Sequence, residues 1–521
     1  MTRPMTVLTL DGSPLSFSTL AQLGAGAAIA VADPAGIERM RAGRAALERV
    51  MASGRPVYGV TTGVGAMKDV SFDADELDRF NAGLVKAHHF GTGEPFPAPI
   101  VRNAMAIRVN TALTGNVGCT RELVEAYLRL LAADVVPVVR RTGSIGCADI
   151  GLMGQIGAVL TGVGEAVYAG RRSPAVEALA AAGLTPIRMA PKDSLAAISV
   201  NAVGYAAAAD AVRRAAGAVR MLLATSLTTA GAMGASRDPW EAAAHVGTLH
   251  EAAVGEWLYD MAAGWQWPTA THVQDPLSLR MMPQIFAMVL DTLLAAGRTV
   301  VAATGRTDDN PVVVGDRVLT SGGSLPLDVT VAVQTAALAL AYAARNSFNR
   351  CVLIGNGARR ELPINLVPHG AVATGFGPII KLAGELYTRV LSVSAPISAN
   401  SLVVAGGIED EAAFLPLVVE RFERQVEALR RMAALEALLA AQAMDLLGDR
   451  TAGIVQMIRG FVRRHADFYD CDRPLSAEVE AIEETLASDE AMAALLAHAP
   501  MPDVDRFFAL DPAFTKPRVP T

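Results

Sequence analysis

NAVGYAAAADAVRRAAGAVRMLLATSLTTAGAMGAS, residues 201–236, decides the fold class. Alanine has the highest helix propensity, and its small side chain lets helices approach closely. A run of this length and composition predicts one long helix, packed around most of its circumference. It does not read as a membrane span, which needs about 18 or more uninterrupted apolar residues. Asp210, Arg213, Arg214 and Arg220 break the run. A helix apolar on most faces is instead expected inside a bundle or an oligomer. Three more segments predict long helices: 278–304, 329–349 and 411–447. The last contains Pro416, tolerable only near a helix start or at a kink.

Working outward, the 521 residues are 52% hydrophobic but only 5% aromatic, so the apolar mass is mostly Ala, Val and Leu. A net charge of -7 and the lack of a basic stripe exclude a nucleic-acid partner. Cys119, Cys147, Cys351 and Cys471 have neither disulfide nor metal spacing, so reduced thiols and no metal are expected. Residues 20–32 mimic a signal-peptide core, but Asp11 precedes them where positive charge belongs, so the expected compartment is the cytoplasm. Residues 6–10 read as a strand entering a hairpin at Asp11-Gly12. Residues 34–53 read as a helix, and Thr120 as the N-cap of another carrying Leu123, Val124, Tyr127, Leu128 and Leu131. The Gly- and Thr-rich stretch 58–67 reads as a loop, as do 307–311, 355–370 and 395–407. The expected organisation is a mixed head (1–200), a helical bundle (201–450) and a smaller tail (451–521) in one catalytic unit.

Several loops carry recognisable chemistry. Tyr58-Gly59-Val60-Thr61-Thr62-Gly63-Val64-Gly65 and Gly83-Leu84-Val85-Lys86-Ala87-His88-His89-Phe90-Gly91-Thr92-Gly93-Glu94-Pro95 are followed by Val273-Gln274-Asp275-Pro276-Leu277-Ser278-Leu279-Arg280, Asp309-Asn310-Pro311 and Ser321-Gly322-Gly323. In this order they resemble the motifs of the aromatic amino acid ammonia-lyases, and together they cover nearly the whole chain. The resemblance implies a mainly α, ammonia-lyase/fumarase-like fold with a long central antiparallel bundle. It also implies a homotetramer whose pockets draw on more than one subunit.

It implies roles as well. Tyr58, on a loop closed by Gly65, is the family's base for the β-proton, and a phenol serves as a base only where its phenolate is stabilised. Arg280 offers a guanidinium fork that pairs a substrate carboxylate through two hydrogen bonds. Gln274 and Asn310 resemble pocket residues around the same carboxylate. Glu409, in Ile408-Glu409-Asp410-Glu411, and His88 stand where the histidine-specific enzymes carry their ring-binding residues. A carboxylate there accepts an imidazole N–H or holds the protonated ring. Lys381 falls where the family is apolar. An ammonium in such a segment is costly unless paired or functional; pairing with Glu409, donating a proton, binding an anionic ring group and simple exposure at a helix start are all open. Lys86, beside His88, is a weaker candidate of the same kind.

The departures bear on the substrate. The family builds an electrophilic methylidene-imidazolone from Ala-Ser-Gly, and Gly143-Ser144-Ile145-Gly146-Cys147-Ala148-Asp149-Ile150 is one residue short of that pattern. Ala148 stands at the Ser position and has nothing to eliminate. Ser199 replaces the family's Asn, Leu277 its Tyr, and Ser324-Leu325-Pro326 its Asn-Phe-His. Smaller or apolar groups on the amine side suit an amine that donates no hydrogen bonds. A quaternary trimethylammonium is one, and it leaves as a neutral amine without covalent help. The resemblance is thus to the ergothionase branch, which lacks the prosthetic group. The implied activity is elimination of trimethylamine from ergothioneine, a small-molecule betaine, giving thiourocanate, with no cofactor. Three alternatives stand: an ordinary histidine ammonia-lyase using Cys147, a lyase for trimethyl-histidine, and a non-catalytic helical scaffold.

Overall fold

The computed structural model describes residues 6–263, 266–270, 272–357, 359–400 and 402–516. Its long helices are Ala202–Ala232, Met282–Ala303, Leu327–Gly355 and Leu415–Leu447. Pro416 sits in the first turn of the fourth, where its missing N–H costs no hydrogen bond. The third outruns the expected 329–349 at both ends. Its polar residues Asn346, Ser347 and Arg350 break the apolar pattern, yet all three are buried and hydrogen-bonded, so the helix continues through them. By length and mean hydropathy, Asp193–Ala232, Met282–Ala303 and Leu327–Gly355 could each cross a membrane. In the molecule, 94% of the most apolar window of the first is packed inside the protein.

Side-chain contacts fix the directions of the helices. Gly204, at the start of the first, lies against Leu415 at the start of the fourth. Ser226 and Glu436, late in the same two helices, both bond Arg350, late in the third. These three therefore run the same way. The second begins beside Ser278, which Arg350 contacts, and returns so that Arg306 pairs with Asp328 at the start of the third (2.7 Å). A shorter helix, Ile380–Ser392, also runs back, with Gly384 beside Phe348. Consecutive helices alternate in direction, as an antiparallel bundle requires.

The head corrects one expectation. Strand Thr6–Leu10 forms no hairpin; it pairs in parallel with Ala28–Ala32, in register from Thr6↔Ala28 to Leu10↔Ala32. Gly12 does turn the chain, but Ser16 then caps helix Phe17–Gly24 by accepting the Thr19 N–H (3.1 Å). Parallel pairing needs such a crossover, and the apparent signal-peptide core is part of that helix and the second strand. Helices Pro34–Ala52 and Arg121–Ala133 form where expected, capped by Asp33 and Thr120. The tail packs on the bundle through the buried Arg220–Asp505 ion pair (2.8 Å). One hydrophobic core includes Leu10 of the head, Leu222 of the bundle and Leu495 of the tail.

Candidate active site

Because three long helices run alike, their N-termini share one end of the bundle, and a cavity of about 660 Å³ lies there. The head closes it with the Tyr58 loop and with helix Ile150–Leu160. Helix N-termini carry positive partial charge and free N–H groups. Buried carboxylates answer them: Asp308 accepts the Asn201 backbone N–H (2.9 Å) and Asp149 accepts that of Gly204 (2.6 Å). Burial outweighs these bonds and pushes Asp149 up to about 7 and Asp308 up to about 6.

The cavity brings together six of the expected residues: Tyr58, Gly65, His88, Ser199, Asn310 and Glu409. Gly65 adopts φ +56°, which aims its N–H at the Tyr58 hydroxyl oxygen (3.0 Å). Burial nevertheless raises the phenol above its ordinary value, and Glu409 adds to the rise. The phenolate stabilisation expected at Tyr58 is therefore not supplied within one chain. His88, which lines the cavity, donates from Nδ1 to the Leu84 carbonyl (2.8 Å), so that bond leaves Nε2 uncommitted. Asn310 gives its carbonyl oxygen to the Ser321 N–H (2.9 Å) and keeps its NH2 donors. Glu409 is held by its backbone, whose carbonyl accepts the Val404 N–H (2.9 Å), six residues before the fourth helix begins.

The degenerate loop also lines the cavity. Ser144 donates to Asp149 (3.1 Å), and Gly146 comes so close to Phe414 that a β-carbon there would lie 2.5 Å from its backbone nitrogen. The Ala148 N–H is bound to the Ser324 carbonyl (2.8 Å), with Ala148 at φ +46° and its methyl buried. A methylidene-imidazolone does not fit here. The Ser position has only a methyl, and the nitrogen that would close a ring across Cys147 is committed to Ser324. Cys147 points its thiol at the Ser324 hydroxyl (3.7 Å), and burial raises its pKa.

The other four residues lie elsewhere. Lys86 is exposed on helix Ala74–Ala87 and does not line the cavity. Lys381 is exposed at the start of Ile380–Ser392, whose Ile380 packs on Gly355 at the far end of the third helix, so it cannot pair with Glu409 of the same chain. Gln274 is exposed, and Arg280 ends the short helix Leu277–Arg280 beside Asn346, also at the far end. Arg280 is not paired with Asp275, which instead binds Arg359 and the Ser236 N–H (2.6 Å). The Arg280 Nε is buried without a hydrogen-bond partner among the described residues. One lining residue had no sequence signal: Lys68, ten positions beyond Tyr58, which pairs with Asp69 (2.6 Å).

Residues 15–464 match the family model described as aromatic amino acid lyase. The histidine ammonia-lyase of Pseudomonas fluorescens (strain SBW25) is 30% identical over 472 residues, 88% of this chain and 91% of that protein. That of Stigmatella aurantiaca is 30% identical over 506 residues, 95% and 99% of the two chains. Among solved structures, the ergothioneine-degrading enzyme ergothionase from Treponema denticola, in complex with desmethyl-ergothioneine sulfonic acid, superposes with a TM-score of 0.87. It is 27% identical and covers 92% of this chain and 98% of its own. Histidine ammonia-lyase from Trypanosoma cruzi shares the fold, with a TM-score of 0.86 at 24% identity over 97% of each chain. The cavity, the motif order and these matches agree: the chain belongs to the aromatic amino acid lyase family and is a carbon–nitrogen lyase of the ammonia-lyase type.

Proposed function

We propose that this lyase eliminates trimethylamine from ergothioneine, giving thiourocanate, without a prosthetic electrophile. The observation that carries the reading is the pairing of an intact cavity, holding Tyr58, His88 and Glu409, with a Gly146-Cys147-Ala148 segment unfit to build that electrophile. A primary amine would need such help; a quaternary nitrogen does not. Tyr58 takes the β-proton, and the electron pair left behind forms the new C=C bond. The C–N bond breaks, and its pair departs on neutral trimethylamine. Glu409 and the His88 Nε2 face the ring and hold its N–H groups, and a positively charged ring makes the β-proton more acidic. Arg280, Gln274 and Lys381 reach the cavity from neighbouring copies in a homotetramer. There Arg280 clamps the carboxylate, Asn310 adds a donor, and the two cations stabilise the phenolate form in which Tyr58 acts as the base.

Incubation with ergothioneine, trimethyl-histidine and histidine tests this, reading the absorbance of the conjugated acrylate and the amine released. The expected result is trimethylamine from ergothioneine and no ammonia from histidine. Brisk deamination of histidine with both betaines untouched overturns it. One second reading has an observation behind it, since Cys147 lines the cavity and the 28–30% identical relatives are histidine ammonia-lyases. An electrophile made there would show in the intact mass as loss of water, from ring closure, together with loss of hydrogen sulfide, from the elimination.

A further inference from the structure

We propose that Arg350 is a positioning residue: through a buried ion pair it holds the short helix that presents Arg280, an inference that rests on the assignment of Arg280 to the substrate carboxylate. A helix of four residues has no cooperative length with which to keep its own place. Leu277–Arg280 is instead held from the core side by its carbonyls. The Ser278 carbonyl accepts from Asn346 Nδ2 (3.1 Å) and Arg350 Nη1 (3.3 Å), and the Leu279 carbonyl accepts from Trp240 Nε1 (3.3 Å). The stretch just before it is tied by Asp275 to Arg359 and to the Ser236 N–H.

Arg350 is fully buried, and a charge in that position persists only when paired and hydrogen-bonded. Glu436 of the fourth long helix, also fully buried, accepts from its Nε (2.6 Å) and Nη2 (3.0 Å). Ser226 of the first helix and Asn346 of the third accept from the same guanidinium. The three helices that run alike are thus joined at one cation, and one of its nitrogens is spent on the Ser278 backbone. The Arg280 Nε, buried and unpartnered two residues later, is presented by this anchor while its own hydrogen bonds stay uncommitted. A guanidinium fork rewards such placement, because bidentate pairing with a carboxylate tolerates little error in angle.

The test compares three variants of the full-length protein, each first checked for unchanged assembly and thermal midpoint. Arg350→Met with Glu436→Met removes both buried charges together. Asn346→Leu leaves the Arg350–Glu436 ion pair but removes one donor to Ser278 and one acceptor of Arg350. Arg280→Lys reports on the clamp itself. The probes are two inhibitors, the thiourocanate product and the matching imidazole-thione trimethylammonium cation that lacks the carboxylate. The expected result for the double variant is at least tenfold weaker inhibition by the acrylate, with the carboxylate-free probe unchanged within twofold. KM should rise more than kcat falls. Asn346→Leu should move the same ratio at least threefold, which keeps the test alive should the double variant not fold. If Arg280→Lys shifts the ratio while neither core variant does, the anchor is refuted and the clamp stands. If Arg280→Lys leaves the ratio unchanged, the clamp fails and the anchor with it.

Discussion

At Tyr58 burial and the Glu409 carboxylate both favour the neutral phenol, and the Gly65 N–H alone favours the phenolate. A base works deprotonated, so raising its pKa moves the rising limb of the pH–rate profile to higher pH. Glu409→Gln removes one of the three influences that raise it, the others being burial and Cys147. The limb of kcat/KM should therefore shift to lower pH even as the rate falls, and a limb that stays put or moves up would contradict this electrostatic account. Tyr58→Phe should cost about 10²–10⁴-fold in kcat, read from acrylate absorbance. That Tyr58, His88 and Glu409 would share one cavity was legible because each sits in a motif of the family. The partner of Asp275 was not, since Arg359 lies 84 positions away and only folding brings it near. Lys68 was equally silent, having no motif around it.

Among the elements, the long helices were readable because alanine-rich apolar runs admit little else; of the two places open to Pro416, a helix start and a kink, the structure has the start. The first strand was readable as a strand but not for its pairing, because Asp11-Gly12 makes the same local turn whether a hairpin or a crossover follows. The caps at the cavity were invisible as well: Asp149 and Asp308 lie 55 and 107 residues from the N–H groups they accept. They make a prediction at this scale. A carboxyl raised to about 7 in the folded state holds its proton where the unfolded chain has released it. The folded state then binds more protons between about pH 4 and 7, so stability falls as pH rises through that window. A shift of this size is worth on the order of 4 kcal/mol. Asp149→Asn keeps an acceptor for the Gly204 N–H and removes the titration. The drop in thermal midpoint from pH 5 to pH 8 should be smaller in the variant than in the parent, and equal drops would rule this source out.

For the whole molecule, the sequence indicated more apolar helix surface than one chain can cover. Leu327, Val331, Leu338 and Tyr342 lie exposed along the third long helix, and they provide the surface for the proposed homotetramer. Leu338→Asp should dissociate it, seen by light scattering, and abolish activity along with assembly. What spacing in the sequence could not convey is that the expected site residues divide between opposite ends of the bundle. On the proposed assembly, Tyr58→Phe and Arg280→Ala are each inactive alone, but unfolding and refolding them together should restore partial activity. A mixture as dead as its parents would show that each chain works alone. The parallel run of three helices, each about 45 Å long, has a further consequence for dosage. In the proposed roles, proton removal at Tyr58 and carboxylate capture at Arg280 ride at opposite tips of stiff rods, so no bending of one chain would unite them. Output should therefore vanish on dilution more steeply than the amount of protein falls, and a cell making little of this chain would have almost none of its chemistry.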